Sequence, residues 1–111
     1  MKPELPKTIR IGPHDITISR RADVDDRNFG TWSENEMLIR LDQTFHAPSR
    51  EVEVVLHEIE HAVRDIYVAK EKDPEERHTT TVMRGWTQVW RDNPDLLRWV
   101  MDSLHGTSEA V

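Results

Sequence analysis

The chain has 111 residues, a formal net charge of −6 and no cysteine. Its length suits one domain with a single modest core. The acidic balance argues against a nucleic-acid partner, because phosphate binding needs a basic footprint. The missing thiols exclude disulfides, cysteine-based zinc sites and thiol nucleophiles. The opening MKPELPKTIRIG has no apolar segment of signal-peptide kind, and no run approaches membrane-spanning length. The expectation is therefore a soluble, cytoplasmic protein. Nothing in the composition fixes an oligomeric state.

Up to Pro48 the apolar pattern has period two. TIRI puts Ile9 and Ile11 on one face, and DITIS does the same for Ile16 and Ile18. Gly12 to Asp15 between them reads as a turn. NFGTW and EMLIRLD form a candidate second hairpin, with Ser33, Glu34 and Asn35 at its tip. Met37 to Asp42 is the stronger strand of the two.

Beyond Pro48 the period becomes helical. Ser49 is the expected N-cap of a helix over 50–68. Val52, Val55, Leu56, Ile59, Ala62, Val63 and Ile66 recur at i, i+3 and i+4. A second helix is expected over 74–91. Asp73 is its N-cap, Pro74 its first residue and Glu76 the third position of a capping-box-like arrangement. Val82, Met83, Trp86, Val89 and Trp90 supply its apolar face. Thr79, Thr80 and Thr81 are poor helix formers within it. Asn93-Pro94-Asp95 caps a third helix over 94–104, with Leu96, Leu97, Val100, Met101 and Leu104 inward and Gly106 at its end. Strands followed by helices give an α+β domain over 1–111. Its sheet is expected to be small and antiparallel, of about three strands, packed on two or three helices.

The first helix contains VVLHEIEHAV, an H-E-x-x-H at residues 57–61. Residues four apart on a helix differ by about 40° in direction and about 6 Å in height. His57 and His61 therefore reach one ion, and neutral imidazoles suit Zn²⁺ at about 2.1 Å. Glu58 and Glu60 lie symmetrically, each about 80° from the histidine midline. Their neighbours separate them. Glu60 sits with Glu53 and Arg64 on a flank expected to be solvated, where Glu60–Arg64 is an i,i+4 pair. Glu58 leans toward Val55 and Ala62, against the protein wall, and is the expected general base. Asp65 falls four residues after His61 and is placed to orient it from behind.

A third ligand is needed. Metzincins take a histidine six residues after the second and a glycine three residues after it, but Tyr67 and Arg64 occupy those positions. Glu76, opening the second helix, is the first candidate, with His78 and Glu75 as alternates. His14, His46 and His105 read as surface residues. Trp86 and Trp90, at helical spacing, read as core.

The run from VVLHEIEHAV through DPEERHTTTVMRGWTQVWRDNPDLLRWV resembles the small H-E-x-x-H proteins of bacteriophages and prophages. These are zinc metallopeptidases of the gluzincin type, related in outline to ImmA/IrrE and SprT-like domains. The resemblance spans Met37 to Val100. It includes a strand before the active helix, Gly85-x-x-Gln88-Val89 and Asp92-Asn93-Pro94. It implies a minimal zincin-like fold and one Zn²⁺ held by His57, His61 and the glutamate opening the next helix. It further implies a zinc-bound water activated by Glu58, and a protein or peptide substrate. By the same resemblance, the strand Met37, Leu38, Ile39, Arg40, Leu41 holds an extended substrate by strand addition. For a phage protein the location is the host cytoplasm. Glu60, between the base and the second histidine, and the threonine run depart from the family pattern. The competing expectation is a non-catalytic protein-interaction module on the same fold, with or without metal.

Overall fold

The computed structural model describes residues 3–21, 29–43, 45–68 and 75–105, with side chains from residue 78 onward in the last of these. The alternating isoleucines form β1 (Thr8–Ile11) and β2 (His14–Arg20), an antiparallel hairpin closed by Gly12 and Pro13. Gly12 has φ +58°, a conformation glycine adopts without strain. A Cβ there would also sit 3.0 Å from Ile66 Cγ2. Ile9, Ile11, Ile16 and Ile18 all point to one buried face.

The second hairpin joins β3 (Gly30–Ser33) to β4 (Leu38–Leu41). Ser33 Oγ accepts the Glu36 N–H at the tip, and Met37 takes φ +49° as the chain re-enters the sheet. The strand order is β1-β2-β4-β3, and β2 pairs β4 in parallel. The described sheet is therefore four-stranded and mixed, where the sequence suggested about three antiparallel strands. The second hairpin does not follow the first in spatial order. Instead, the more apolar β4 inserts beside β2 and leaves β3 outside, in keeping with apolar strands taking interior positions.

Three helices cover the isoleucine face. α1 (Pro48–Tyr67) is capped two residues before the expected Ser49, at Ala47, which makes no side-chain capping bond. Pro48 decides this: its fixed φ and missing N–H suit the first helical position. The buried stripe is Val52, Val55, Ile59, Ala62 and Val63, opposite the histidines as the periodicity indicates. α2 (Glu75–Asp92) runs straight through Thr79–Thr81. The proposed capping residues Asp73 and Pro74 lie outside the described residues, as does Gly106. In α2, Val82 and Val89 are buried, while Met83 is 53% exposed rather than inward.

α3 (Pro94–His105) begins with Pro94 at its first position, and the Asn93 carbonyl accepts the Leu96 and Leu97 N–H groups. Trp99 takes the core position here, so the buried set is Leu96, Trp99 and Val100. The stripe is thereby rotated, and Leu97, Met101 and Leu104 face outward instead of inward. Among the described residues, no helix is long and apolar enough to cross a membrane.

The two edges of the sheet are treated differently. On β1, the outward N–H of Arg10 donates to Asn93 Oδ1 at 2.7 Å. The Arg10 carbonyl accepts from Asn93 Nδ2 and Gln88 Nε2 at 2.8 and 2.9 Å, and the Gly12 N–H donates to Gln88 Oε1 at 2.8 Å. Two buried side-chain amides from α2 and its C-terminal junction thus replace a neighbouring strand and seal that edge. Nothing of this kind meets β3 among the described residues.

Candidate metal centre

α1 carries the H-E-x-x-H because its far side supplies the apolar stripe that holds it to the sheet. The histidine side is left facing out. His57 and His61 are both exposed, their rings meet edge to face with centroids 4.7 Å apart, and their Nε2 atoms converge to 3.1 Å. Two imidazole nitrogens on one tetrahedral Zn²⁺ at 2.0–2.1 Å lie about 3.3 Å apart. The observed separation is that of an N–H···N hydrogen bond between the rings, and it is close to the spacing that two ligands of one ion would need.

Glu58 is 7% exposed. It lies under β3, where Gly30 leaves room for it: a Cβ at Gly30 would stand 3.0 Å from Val54 Cγ1 and 3.2 Å from Glu58 Cγ. Burial pushes the Glu58 carboxyl above the usual glutamate range, while the nearby His57 and His61 rings pull it back down. The carboxyl and His57 border a common cleft of about 420 Å³, lined also by Phe29, Gly30, Arg50, Glu53 and Val54. The Arg50 guanidinium lies over the Phe29 ring, 5.4 Å from its centroid.

The other flank of α1 differs from the expectation. Glu60 does pair with Arg64, at 2.8 Å, but it is not simply solvated. Its Oε1 accepts the Trp86 indole N–H at 2.6 Å, because α2 crosses α1 on this side. Burial would raise the Glu60 carboxyl; the hydrogen bonds from Trp86 and Arg64 outweigh it and hold the carboxyl below its ordinary range. Trp90 stacks on Trp86, centroids 5.6 Å apart. On the opposite flank, Asp65 Oδ2 accepts the Trp32 indole N–H at 2.7 Å. No hydrogen bond joins Asp65 to His61 among the described residues, so its partner is the edge strand and not the histidine. The exposed histidine pair is thus flanked by β3 and α2, each bonded to α1 by a tryptophan. Sequence reasoning missed both bonds.

The side chain expected as a third ligand is not among the described ones. Those of Glu76 and of the alternate Glu75 lie outside them. The other alternate, His78, has a buried Nε2 without a hydrogen-bond partner. It does not complete a set with the pair: among the described residues no three His, Cys, Asp or Glu side chains cluster to hold a metal. His14, His46 and His105 are exposed, as expected.

The strand expected to hold substrate, Met37 to Leu41, is wrongly placed for that role. β4 is interior, paired with β2 on one side and β3 on the other. The Met37 and Leu41 carbonyls accept from Thr17 and Arg21 across β2, and the Asp42 N–H donates to the Phe29 carbonyl across β3. Among the described residues, the edge without a strand neighbour is β3. Opposed residues of an antiparallel pair alternate between bonded and non-bonded. The Phe29–Asp42 bond therefore assigns Thr31 and Ser33 to β4 and turns the backbone N–H and C=O of Gly30 and Trp32 outward. No known protein family, curated protein or solved structure matches the chain.

Proposed function

We propose that the chain is a zinc-dependent metallopeptidase of the gluzincin type, acting on a protein or peptide in the cytoplasm. The observation that carries this reading is the convergence of His57 and His61 Nε2 at 3.1 Å beside a buried glutamate and an open strand edge. His57 and His61 would hold the ion, with Glu76 from α2 as the proposed third ligand. A Zn²⁺ so held supplies Lewis acidity toward a carbonyl and makes water acidic enough to act as a nucleophile near neutral pH.

The chain's own groups do the rest. The outward N–H and C=O of Gly30 and Trp32 bind an extended peptide backbone along β3. The cleft beside His57 receives a side chain of that peptide. Glu58 takes a proton from the attacking water and returns it to the leaving amine nitrogen. Its burial suits this, because a carboxylate with a raised pKa is a stronger base and a competent proton donor.

The test is metal analysis of the purified protein together with peptide hydrolysis. One zinc per chain is expected, with a thermal shift on adding Zn²⁺ and loss of both in His61→Ala. Glu58→Gln should keep the zinc and lower hydrolysis by roughly 10²–10⁴-fold. A protein that binds no zinc and gains no stability from it refutes the reading. The second reading, a non-catalytic interaction module, rests on the same open β3 edge. It is favoured if a bound peptide is never cleaved and Glu58→Gln binds it equally well.

A further inference from the structure

The Trp32–Asp65 bond joins two residues that neither hold the ion nor move the proton, yet it meets the histidine side of α1 at a sensitive point. Trp32 has two jobs that belong to different atoms. Its backbone N–H and C=O face the open edge, and its indole lies on the helix side, where Nε1 donates to Asp65 Oδ2 at 2.7 Å. β3 has four residues, one neighbouring strand among the described residues, and a glycine where it crosses Val54 and Glu58. Asp65 stands on α1 one turn beyond His61, so the bond ties the edge to the same helix that carries the histidines.

We infer that Asp65 and Trp32 are a positioning pair. The bond fixes the register and height of the β3 edge against His57 and His61, and so sets where a docked peptide lies. The inference takes from the peptidase reading only that a peptide lies along β3. It gives Asp65 a role directed at the substrate strand and not at the metal. A charged acceptor suits the role, since a hydrogen bond to an ionised group is stronger and shorter than a neutral one.

Three variants separate the possibilities. Trp32→Phe keeps an aromatic ring and removes the donor. Asp65→Ala removes the acceptor, and Asp65→Asn keeps one carbonyl oxygen. Amide hydrogen exchange reads the strand without any need for activity. Thr31 and Ser33, which bond to β4, should exchange roughly tenfold faster in Trp32→Phe and Asp65→Ala, the scale of one lost hydrogen bond to a charged group. Thr17 and Ile18, whose N–H groups bond to the Met37 and Lys7 carbonyls, should change far less. Asp65→Asn, which keeps a neutral acceptor, should fall between the wild type and Asp65→Ala.

In hydrolysis assays the two disruptive variants should raise KM roughly tenfold, by the same scale, with kcat and zinc content little changed. Equal acceleration of all four amides, or of none, overturns the inference. So does a loss of zinc affinity in Asp65→Ala and Asp65→Asn that Trp32→Phe does not share, because that pattern belongs to a residue orienting His61. A wild-type protein without hydrolysis would count against the peptidase reading, and the exchange data would still decide the role of the pair.

Discussion

Replacing Gly85 by alanine sets two effects of known size against each other. In a helix interior, alanine is favoured over glycine by about 1 kcal/mol. Gly85 lies in the middle of α2, so propensity alone predicts stabilisation. It also lies where α2 crosses α1. A Cβ there would stand 2.7 Å from Val63 Cγ1 and 2.9 Å from Tyr67 Cδ2, closer than real contacts allow. Neither neighbour yields easily. Val63 is fully buried and β-branched, with little rotamer freedom in a helix. The Tyr67 hydroxyl donates to Gln88 Oε1 at 3.0 Å, within the network that seals β1. Overpacking a site of this kind costs about 1–3 kcal/mol. The steric term should win, leaving Gly85→Ala about 1 kcal/mol less stable and its Tm lower by roughly 4–8 °C, as for domains near this size. Thermal unfolding followed by circular dichroism measures it. A second variant tests the cause: Val63→Ala should relieve the clash, so the double variant should show a favourable coupling of at least about 0.5 kcal/mol. A Gly85→Ala protein as stable as the parent, or more so, would refute the reasoning.

Two further variants probe the buried polar groups. Asn93→Ala strips the Arg10 N–H of its partner and deletes the bonds to the Arg10 and Val89 carbonyls. Urea unfolding should show a loss of about 2–3 kcal/mol, and sedimentation should show concentration-dependent association as the β1 edge opens. A stability within about 0.5 kcal/mol of the parent, the range of ordinary surface substitutions, would mean the amide is not serving as a strand substitute. Glu58→Gln addresses the desolvated carboxyl. Because burial raises its folded pKa, the folded state holds the proton longer than the unfolded chain. Its stability is then full below the unfolded value of about 4.3 and falls as pH rises through the folded value. In the metal-free protein, Glu58→Gln should leave Tm unchanged near pH 4 and raise it at pH 7. An unchanged or lower Tm at pH 7 would show that the carboxylate is not strained by burial.

The period-two and helical patterns were enough for the class of the fold and for the side of α1 that faces out, because each face answers to a local repeat. The order of the strands was not legible from neighbouring hairpins, although composition held a signal: LIRL is an interior strand and GTWS an edge. The inward assignment of Leu97, Met101 and Leu104 failed because Trp99, one residue off the assumed stripe, buries more area and turns the helix toward itself.

The roles of Glu60 and Asp65 show a deeper limit. A helical wheel ranks side chains by direction along one helix, and it made Glu60 solvated and Asp65 a neighbour of His61. What lies across from a side chain depends on topology. The donors came from 26 and 33 residues away, from α2 and β3. A half-buried indole N–H needs an acceptor. On α1 the carboxylates flanking His61 were the available acceptors on the two sides, and each was claimed by the tryptophan its own wall carries. Trp32 and Trp86, two of the four tryptophans in so short a chain, were therefore the signal for how the histidine side of α1 is held, and they carried it through hydrogen bonding, not through periodicity.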